Sequence, residues 1–295
     1  MELRQVEYVV AVAEHGTFTQ AAHSIPVSQP ALSQGIQSLE RELGAELFAR
    51  VGRSVRRTAA GDAFLDPARR LLREARSVRD AVAAVAGLEQ GQLDVVCLPT
   101  LAVDPMVDLV GRFRHHHPGI TVRVREPEDT GSLTDLVASG EAELGLAELP
   151  VTVPGLTGER LLDQEIMVVC PPGTLLPGKG RRRVGLEVVN RHPLVATPVG
   201  TSTRRLAEDA LGEAHLRPEI AVETEHREAI VPLVMAGAGV ALLPEPMARR
   251  AAAMGAVVAR LDPPLRRHVG LIRRAAGTLS PAAQVFRRLA LDLDG

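Results

Sequence analysis

Apolar and polar residues are spaced as in a helix in the first fifth of the chain. The apolar residues recur mostly in steps of three and four: Ala31, Leu32, Ile36, Leu39, Leu43 and Leu47. The polar residues on the remaining faces are Gln29, Ser33, Gln34, Gln37 and Arg41. This spacing predicts an amphipathic helix, with one face that packs and another that is free to make contacts.

Local signals place a shorter helix before it. Thr17 is a candidate N-cap, and Gln20 stands where its side chain could return a hydrogen bond to the cap's own amide, so a helix is predicted over Phe18–Ser24. Pro26 lacks an amide hydrogen and disfavours helical geometry at the residue before it. Ser28 then caps the start of the amphipathic helix. The pattern predicts two helices joined by a tight turn.

An arginine-dense segment follows these helices, with Arg50, Arg53, Arg56 and Arg57. The net charge of the whole chain is only −2, so any contact with nucleic acid must come from such a local cluster. Two helices joined by a tight turn and followed by a basic hairpin are typical of proteins that bind duplex DNA. The alternative from the pattern alone is an ordinary helical hairpin with a solvated basic loop.

A long helix is predicted next, capped by Thr58 and running to about Leu88. Its apolar residues form a heptad seam: Ala68, Leu71, Ala75, Val78, Val82 and Val85. The seam favours a coiled coil between two copies of the chain. An amphipathic helix that lies on its own domain is the alternative, because heptad patterns this short do not decide between the two.

From Gln92 onward, short apolar runs alternate with helical segments, which predicts an α/β fold with a largely parallel sheet. Helices are predicted between the strands, for example over Pro105–His115 and Thr203–Ala214. The candidate strands are Leu93–Leu98, Ile120–Arg125, Leu144–Ala147, Ile166–Cys170, Leu194–Thr197, Val240–Leu243 and Val269–Ile272.

Composition narrows the class of protein. A chain of 295 residues suits two or three domains, and 45% hydrophobic with 24% charged residues is ordinary for a soluble protein. No apolar run is long enough to span a bilayer, and the first residues are acidic where an export signal would be basic and apolar, so we expect a cytoplasmic protein. Cys97 and Cys170 lie in apolar, strand-like runs and are expected to be buried thiols.

The segment AAHSIPVSQPALSQGIQSLERELGAELFARVGRSVRRTAAG, residues 21–61, resembles the winged helix-turn-helix of the LysR-type transcriptional regulators nearly throughout. It departs from the family pattern at Gly35, where a longer residue is usual, and at Arg57, where leucine is common. The resemblance implies an α+β multi-domain protein. Its parts would be a winged helix-turn-helix, a long linker helix and an α/β two-lobed effector domain of the periplasmic-binding-protein type.

The resemblance also implies which residues contact DNA. The second helix would enter the major groove and place Gln29, Pro30, Ser33 and Gln34 near base edges. The arginines at positions 50, 53, 56 and 57 would hold phosphates on the wing. Thr17 and Ser28, at the two helix starts, are assigned to the same surface.

The implied domains are residues 1–58 for DNA binding, 59–90 for the dimerisation helix and 91–295 for the regulatory domain. Lobe I would comprise about 92–162 and 268–292, and lobe II would comprise about 163–267. The family further implies a bacterial regulator that acts as a homotetramer, built as a dimer of dimers. It would bind an inverted-repeat operator and act through RNA polymerase.

Effector-binding residues are expected at the carboxyl ends of strands, where helix N-termini present free amide hydrogens to an anionic or carboxylate-bearing molecule. Thr100 follows the first strand, and the segment Gly200-Thr201-Ser202-Thr203 plays the equivalent role in lobe II. Thr130, Glu148 and His226 are further candidates. For each hydroxyl, a simple helix cap is the alternative.

Metal and catalytic chemistry find little support. Adjacent histidines on one helix, as at 115–117, cannot converge on one ion, so neither a metal nor another cofactor is predicted. No nucleophile elbow or carboxylate pair stands at a motif spacing. Two rivals to a DNA-binding regulator remain. One is a transport solute-binding protein, which should carry an export signal, and the other is an enzyme with an N-terminal dimerisation helix.

Overall fold

The computed structural model of the protein describes residues 1–51, 54–85, 91–177 and 183–294. The chain divides into two compact units. The first comprises residues 1–90 together with 139–141 and 279–281, and the second comprises most of the chain from residue 91 onward. Among the described residues, buried apolar side chains form one cluster in the first unit and at least two in the second.

The N-terminal unit is made of helices and one β-hairpin. In chain order its elements are α1 (Leu3–His15), α2 (Phe18–Ser24), α3 (Gln29–Leu43), β1 (Phe48–Val51), β2 (Ser54–Arg57) and α4 (Ala59–Val85). Helix α2 has the bounds that the sequence predicts, and α3 begins directly after Ser28. Helix α4 is described as far as Val85, and its predicted end at about Leu88 falls within residues 86–90, which lie outside the described part of the chain.

The caps explain where these helices start. The Thr17 hydroxyl accepts a hydrogen bond from the Gln20 amide at 3.2 Å, and the Ser28 hydroxyl accepts one from Ala31 at 3.4 Å. The reciprocal bond expected of Gln20 takes another form, because Gln20 Oε1 accepts from the Thr17 hydroxyl and not from its amide. Thr58 caps α4 through Gly61 at 3.0 Å. Each cap satisfies a backbone donor that the helix leaves free.

The core of this unit lies between α1, α2, α3 and the first part of α4. Its fully buried residues include Val6, Val9, Leu32, Ile36 and Leu39. Burying each large aliphatic side chain contributes about 1.5–3 kcal/mol relative to leaving it exposed. Of the apolar residues predicted to pack in α3, Leu32, Ile36 and Leu39 fix this helix to the unit, whereas the prediction is wrong for Ala31 and Leu43, which are exposed.

Gly35 is required by packing between α1 and α3. A Cβ atom at this position would lie 2.7 Å from Cδ2 and 2.8 Å from Cε2 of Tyr8, whose side chain is buried. The Gln5 side chain also donates a hydrogen bond to the Gly35 carbonyl at 3.5 Å. The departure from the family pattern at Gly35 thus has a local cause in the space that the Tyr8 ring fills.

Gly35→Ala is expected to lower the thermal stability of the protein, although alanine favours a helix by about 1 kcal/mol over glycine. Forcing a methyl group into a packed site costs about 1–3 kcal/mol, because the rigid Tyr8 ring must move. Thermal unfolding of the full chain measures the effect. The control is Gly111→Ala in another helix, where a Cβ would meet nothing within 4 Å. Stabilisation by both substitutions would contradict the packing argument.

The C-terminal unit alternates strands and helices. Its strands are β3 (Gly91–Cys97), β4 (Ile120–Arg125), β5 (Leu144–Leu149), β6 (Leu156–Cys170), β7 (Arg183–Val184), β8 (Leu194–Ala196), β9 (Ile220–Glu223), β10 (Ala241–Pro244) and β11 (Val257–Arg274). Its helices are α5 (Pro99–Leu101), α6 (Val107–His116), α7 (Thr130–Ala138), α8 (Leu186–Val189), α9 (Ser202–Glu213), α10 (Arg227–Met235), α11 (Glu245–Ala253) and α12 (Pro281–Leu291). Its described part also contains a kinked segment (Ala102–Met106) and a short 3-10 turn (Asp292–Asp294).

The main sheet is mixed, and the largely parallel sheet predicted from the sequence is wrong. Its strand order is β10-β6-β11-β5-β3-β4, with β7 paired to β11. Strands β3, β4 and β5 are parallel, whereas β11 is antiparallel to both β5 and β6. The two long strands β6 and β11 run together from one lobe to the other and carry the chain across in opposite directions.

Helix α6 follows a break in the backbone at Asp104. This residue is extended, with φ −162° and ψ 122°, whereas Met106 is already helical, with φ −58° and ψ −41°, so the break lies directly before Pro105, where the sequence predicts this helix to begin. A residue before proline is disfavoured in helical geometry, which accounts for the interruption at the Asp104-Pro105 step. Among the described residues, no helix is both long and apolar enough to cross a membrane.

Candidate functional site

The polar face of α3 lies on the surface of the N-terminal unit. Gln29, Pro30 and Gln34 are exposed and Ser33 is half-buried, while the opposite face packs in the core. The N-cap residue Ser28 is exposed and Thr17 is half-buried. The helix therefore presents short polar side chains at its N-terminal end from a rigid support, a geometry that suits entry into the major groove.

The hairpin β1–β2 is the wing, and hydrogen bonds fix it to the helices. Glu40, in α3, accepts hydrogen bonds from the Leu47 amide at 2.8 Å and the Phe48 amide at 3.3 Å, just where β1 begins. The Val55 amide in β2 donates to the carbonyl of Gly16, between α1 and α2, at 3.2 Å. Sequence reasoning missed Glu40, which ties the wing to the exposed helix.

The structure describes the side chains of two of the four wing arginines. Arg56 and Arg57 are exposed, and Arg57 forms an ion pair with Asp62 at 3.0 Å. Exposed pairs of this kind contribute little to stability, so the pair leaves Arg57 able to exchange its partner for a phosphate. Arg53 and the side chain of Arg50 lie outside the described part of the structure.

A second cluster of polar residues lies in the C-terminal unit around Arg267, on the long strand β11. Only 2% of this residue is exposed. Its Nε and Nη2 donate to Gln164 Oε1 at 3.0 and 2.6 Å, and its Nη1 donates to Thr100 Oγ1 at 2.9 Å. The Gln164 amide in turn donates to the backbone and the carboxylate of Asp104, both at 3.1 Å. Thr100, predicted from the sequence, is thus joined to residues that were not.

Glu148 lies near this cluster at the end of β5 and is half-buried. Burial raises the pKa of its carboxyl group, and the charges of Arg267 and Arg205 oppose that rise. Asp209 and His268 also act on the group through space. The pKa of Glu148 therefore depends on charges from β11 and from helix α9 of the other lobe.

Glu148→Gln is expected to raise the thermal stability of the protein near neutral pH. Because the folded state raises the pKa of Glu148, the protonated form stabilises the fold at low pH, and that contribution is lost as the pH rises through the raised pKa. The gain in melting temperature of the variant over wild type should shrink as the pH is lowered. A melting temperature below that of wild type near neutral pH would show that the ionised carboxylate is favourably held.

Thr130 lies at the start of α7 and His226 lies just before α10, and both helix starts are near contacts between the lobes. The Thr130 hydroxyl accepts a hydrogen bond from Arg205 of α9 at 3.5 Å. His226 is exposed and precedes α10, whose first residue, Arg227, pairs with Glu128 of lobe I. Thr130 therefore faces the second lobe, whereas the imidazole of His226 makes no hydrogen bond within the described part of the chain.

The segment 200–203 begins helix α9. Gly200 is exposed with φ +93°, and Ser202 is buried. The Thr201 hydroxyl is used within its own lobe, since it donates to the Pro198 carbonyl at 2.8 Å and contacts the Thr197 hydroxyl at 2.6 Å. The Thr203 hydroxyl oxygen is buried and has no hydrogen-bond partner among the described residues. Neither threonine caps the helix through its side chain.

The two cysteines are buried and unpaired. Burial raises the pKa of Cys97 to about 12 and that of Cys170 to about 11. Thiols with such values are protonated at neutral pH and react slowly, because the thiolate is the nucleophile. Both residues fit the expectation of buried structural thiols. Within the described residues, no group of three or more potential ligands is arranged to hold a metal ion.

Both units match known protein families. The N-terminal residues 3–62 match the family described as bacterial regulatory helix-turn-helix protein, lysR family, and residues 86–294 match the LysR substrate binding domain. The SDS degradation transcriptional activation protein of Pseudomonas sp. (strain ATCC 19151) is 35% identical over 301 residues, which cover 99% of this chain and 96% of that protein. The transcriptional activator IlvY of Salmonella typhimurium is 29% identical over 83% of each chain.

Solved structures agree with these matches. Full-length OxyR from Pseudomonas aeruginosa superposes with a TM-score of 0.78 at 26% identity, covering 99% of this chain and 94% of that one. CbnR in complex with its target DNA gives a TM-score of 0.68 at 25% identity, covering 99% and 100% of the two chains. The relatives are transcriptional regulators and not enzymes. With both family matches and the fold in agreement, the chain belongs to the LysR family of DNA-binding transcriptional regulators with an effector-binding domain.

Proposed function

We propose that this regulator reads its operator with the exposed N-terminal end of α3 and holds the DNA backbone with the wing. The residues at base edges would be Gln29, Pro30, Ser33 and Gln34, with Thr17 and Ser28 beside them and the arginines 50, 53, 56 and 57 on phosphates. The observation that carries the proposal is that α3 packs Leu32, Ile36 and Leu39 into the core while Gln29, Pro30 and Gln34 at its N-terminal end are exposed.

Helix α4 supports a homodimer. Ala68 packs in the core of its own unit, but Val78 and Val82 farther along the predicted seam are 65% and 66% exposed. Exposed valines at heptad spacing lose water contact if a second copy packs against them. We infer that residues 59–90 form the dimerisation segment between residues 1–58 and 91–295, and that two symmetric heads bind an inverted repeat. A tetramer built as a dimer of dimers, action through RNA polymerase and a cytoplasmic location complete the proposal.

The effector would bind between lobe I, about residues 92–162 and 268–292, and lobe II, about 163–267. Thr100, Thr130 and Glu148 lie on lobe I, while the start of α9 and His226 belong to lobe II. Direct contacts such as Arg227 to Glu128 already join the lobes. A small molecule with a carboxylate that binds both lobes would favour one lobe arrangement and so change how the two DNA heads are presented.

A thermal-shift screen of the full chain tests effector binding. Small organic acids, amino acids and aromatic metabolites are the compounds to try, because a ligand that binds the native state raises its stability. A compound that raises the melting temperature should also change the affinity for the operator, or the footprint on it. Stabilisation without any effect on the DNA complex would contradict a regulatory role for that compound.

A further inference from the structure

The guanidinium of Arg267 is buried without a carboxylate in direct contact. All three of its hydrogen bonds go to neutral oxygens, one on Thr100 and the others on Gln164. Asp104 and Glu148, both half-buried, act on it through space. A buried charge normally has a hydrogen-bonded ion-pair partner, because leaving water is costly for an ion. Arg267 is therefore a positive charge whose direct ionic partner is missing from its surroundings in the described chain.

The group nevertheless stays charged at neutral pH. Burial lowers the pKa of Arg267 to about 10, and Glu148 and Asp104 act against that fall. The positive charge therefore persists behind Thr100, at the carboxyl end of strand β3. This is the end of a parallel strand where α/β proteins bind their ligands.

The charge of Arg267 can act on a ligand through the hydroxyl group of Thr100. Its hydroxyl oxygen accepts a hydrogen bond from Arg267 Nη1, and within the described residues its own proton is not donated to any acceptor. A hydroxyl that accepts from a cation becomes a better donor, because hydrogen bonds in a chain polarise one another. The free proton therefore suits an anionic acceptor such as a carboxylate oxygen.

The positions of Arg267 and Gln164 add a link to lobe movement. The two residues lie directly opposite each other in the register of β11 and β6, the long strands that connect the lobes. The Gln164 side chain also holds Asp104 of lobe I. A ligand drawn to this cluster therefore acts at the strands about which the lobes would rearrange.

We propose that Arg267 is the positioning residue that selects an acidic effector, because its buried charge orients and polarises Thr100 towards a small carboxylate in preference to an uncharged analogue. The proposal rests on the proposed binding of an effector in this part of the regulatory domain. A purely structural role, in which Arg267 only ties the long strands to lobe I, would stabilise the fold without any preference for ligand charge.

Thermal shift of the full wild-type chain with matched pairs of probes tests the proposal. Acetate, propionate and benzoate are compared with acetamide, propionamide and benzamide at equal concentration and constant ionic strength. We expect the carboxylates to raise the melting temperature more than the amides. Equal shifts within each pair, or larger shifts with the amides, would overturn the proposal without use of any variant, as would the absence of a shift with every carboxylate.

Variants then assign the preference to one residue. Arg267→Lys should keep the preference for carboxylates, whereas Arg267→Gln and Thr100→Val should lose it, with about a tenfold or greater loss of carboxylate affinity. The matched control is Arg266→Gln, the exposed neighbour on β11, which removes the same charge and should behave as wild type. If Arg267→Gln does not fold, Thr100→Val and Arg267→Lys still decide the outcome. Retention of the preference in Thr100→Val would overturn the proposal.

Measurements of DNA binding distinguish a failure of this proposal from a failure of the proposed regulatory function. The control Arg266→Gln should bind operator DNA as wild type does when no probe is present, because its side chain is exposed and lies outside the cluster. A chain that binds carboxylates and amides equally yet changes its DNA complex in their presence would keep the effector function and reject the role of Arg267. Carboxylate preference without any change in the DNA complex would support Arg267 and reject regulation by those probes.

Discussion

Replacing Val78 and Val82 together by glutamate is expected to lower operator affinity by about 100-fold or more. Both side chains are about two-thirds exposed on helix α4 at heptad spacing, where a second copy of the chain would cover them. Negative charges at these positions repel the same charges on the partner helix. When the dimer separates, each half-site binds one head alone, and the gain from linked binding is lost.

Sedimentation and fluorescence anisotropy on a labelled operator measure the two consequences separately. The control is the double substitution Leu175→Glu and Met254→Glu, which changes charge equally at apolar residues that are 94% and 58% exposed in the C-terminal unit. The control should keep both the oligomeric state and the affinity of wild type. A Val78/Val82 variant that sediments like wild type would show that the seam does not join two copies.

The second large effect expected is that substitutions at base contacts and at phosphate contacts change DNA binding in different ways. Ser33→Ala, on the outward part of α3, should cost about 1–3 kcal/mol of preference for the operator over unrelated duplexes. Arg56→Ala, on the exposed wing, should weaken binding to all duplexes alike and reduce the salt slope by about one unit. The reason is that hydroxyl groups distinguish base edges, whereas phosphates are the same in every sequence.

Titrations of specific and unrelated duplexes over a range of salt concentrations decide between these effects. Arg70→Ala removes the same charge at an exposed position of α4 and serves as the control for Arg56. If Ser33→Ala and Arg56→Ala change specific and nonspecific binding in the same proportion, the assigned roles are wrong. The comparison does not need an effector, so it tests the DNA-reading unit by itself.

The N-terminal helices could be predicted because their signals are local. Thr17, Ser28 and Thr58 accept hydrogen bonds from amides three residues later, and Pro26 follows the last turn of α2. Each signal depends on a few neighbouring residues. The sequence therefore predicts the start of α3, and with it which residues lie at its exposed end.

Contacts between distant segments could not be predicted in this way. Gly35 in α3 accommodates the ring of Tyr8 in α1, so a residue with poor helix propensity is required by packing. Arg267 and Arg266 are adjacent and identical in type, and only the pairing of β11 with β6 buries the first beside Gln164 and leaves the second exposed. No spacing along the chain distinguishes them.

The full extent of the two long strands could not be predicted from the sequence either. Apolar runs predict Ile166–Cys170 and Val269–Ile272, but β6 and β11 extend to Leu156–Cys170 and Val257–Arg274. Their additional residues alternate with charged side chains and contain Pro263 and Pro264, which weaken the local pattern of a strand. Pairing with β6 over Val257–Arg260 and Leu265–Arg274 supplies hydrogen bonds that the pattern does not reveal, and both prolines lie in the irregular segment between these two paired stretches.

Selection from a random library of DNA duplexes by the purified full chain tests the central claim most directly. We expect enrichment of an inverted repeat whose binding weakens steeply as salt concentration rises, because two copies of α3 read related half-sites while wing arginines displace counterions from phosphates. Loss of the enriched sequence with Ser33→Ala would assign the reading to α3. Recovery of no common sequence, or an affinity that does not change with salt, would contradict the account.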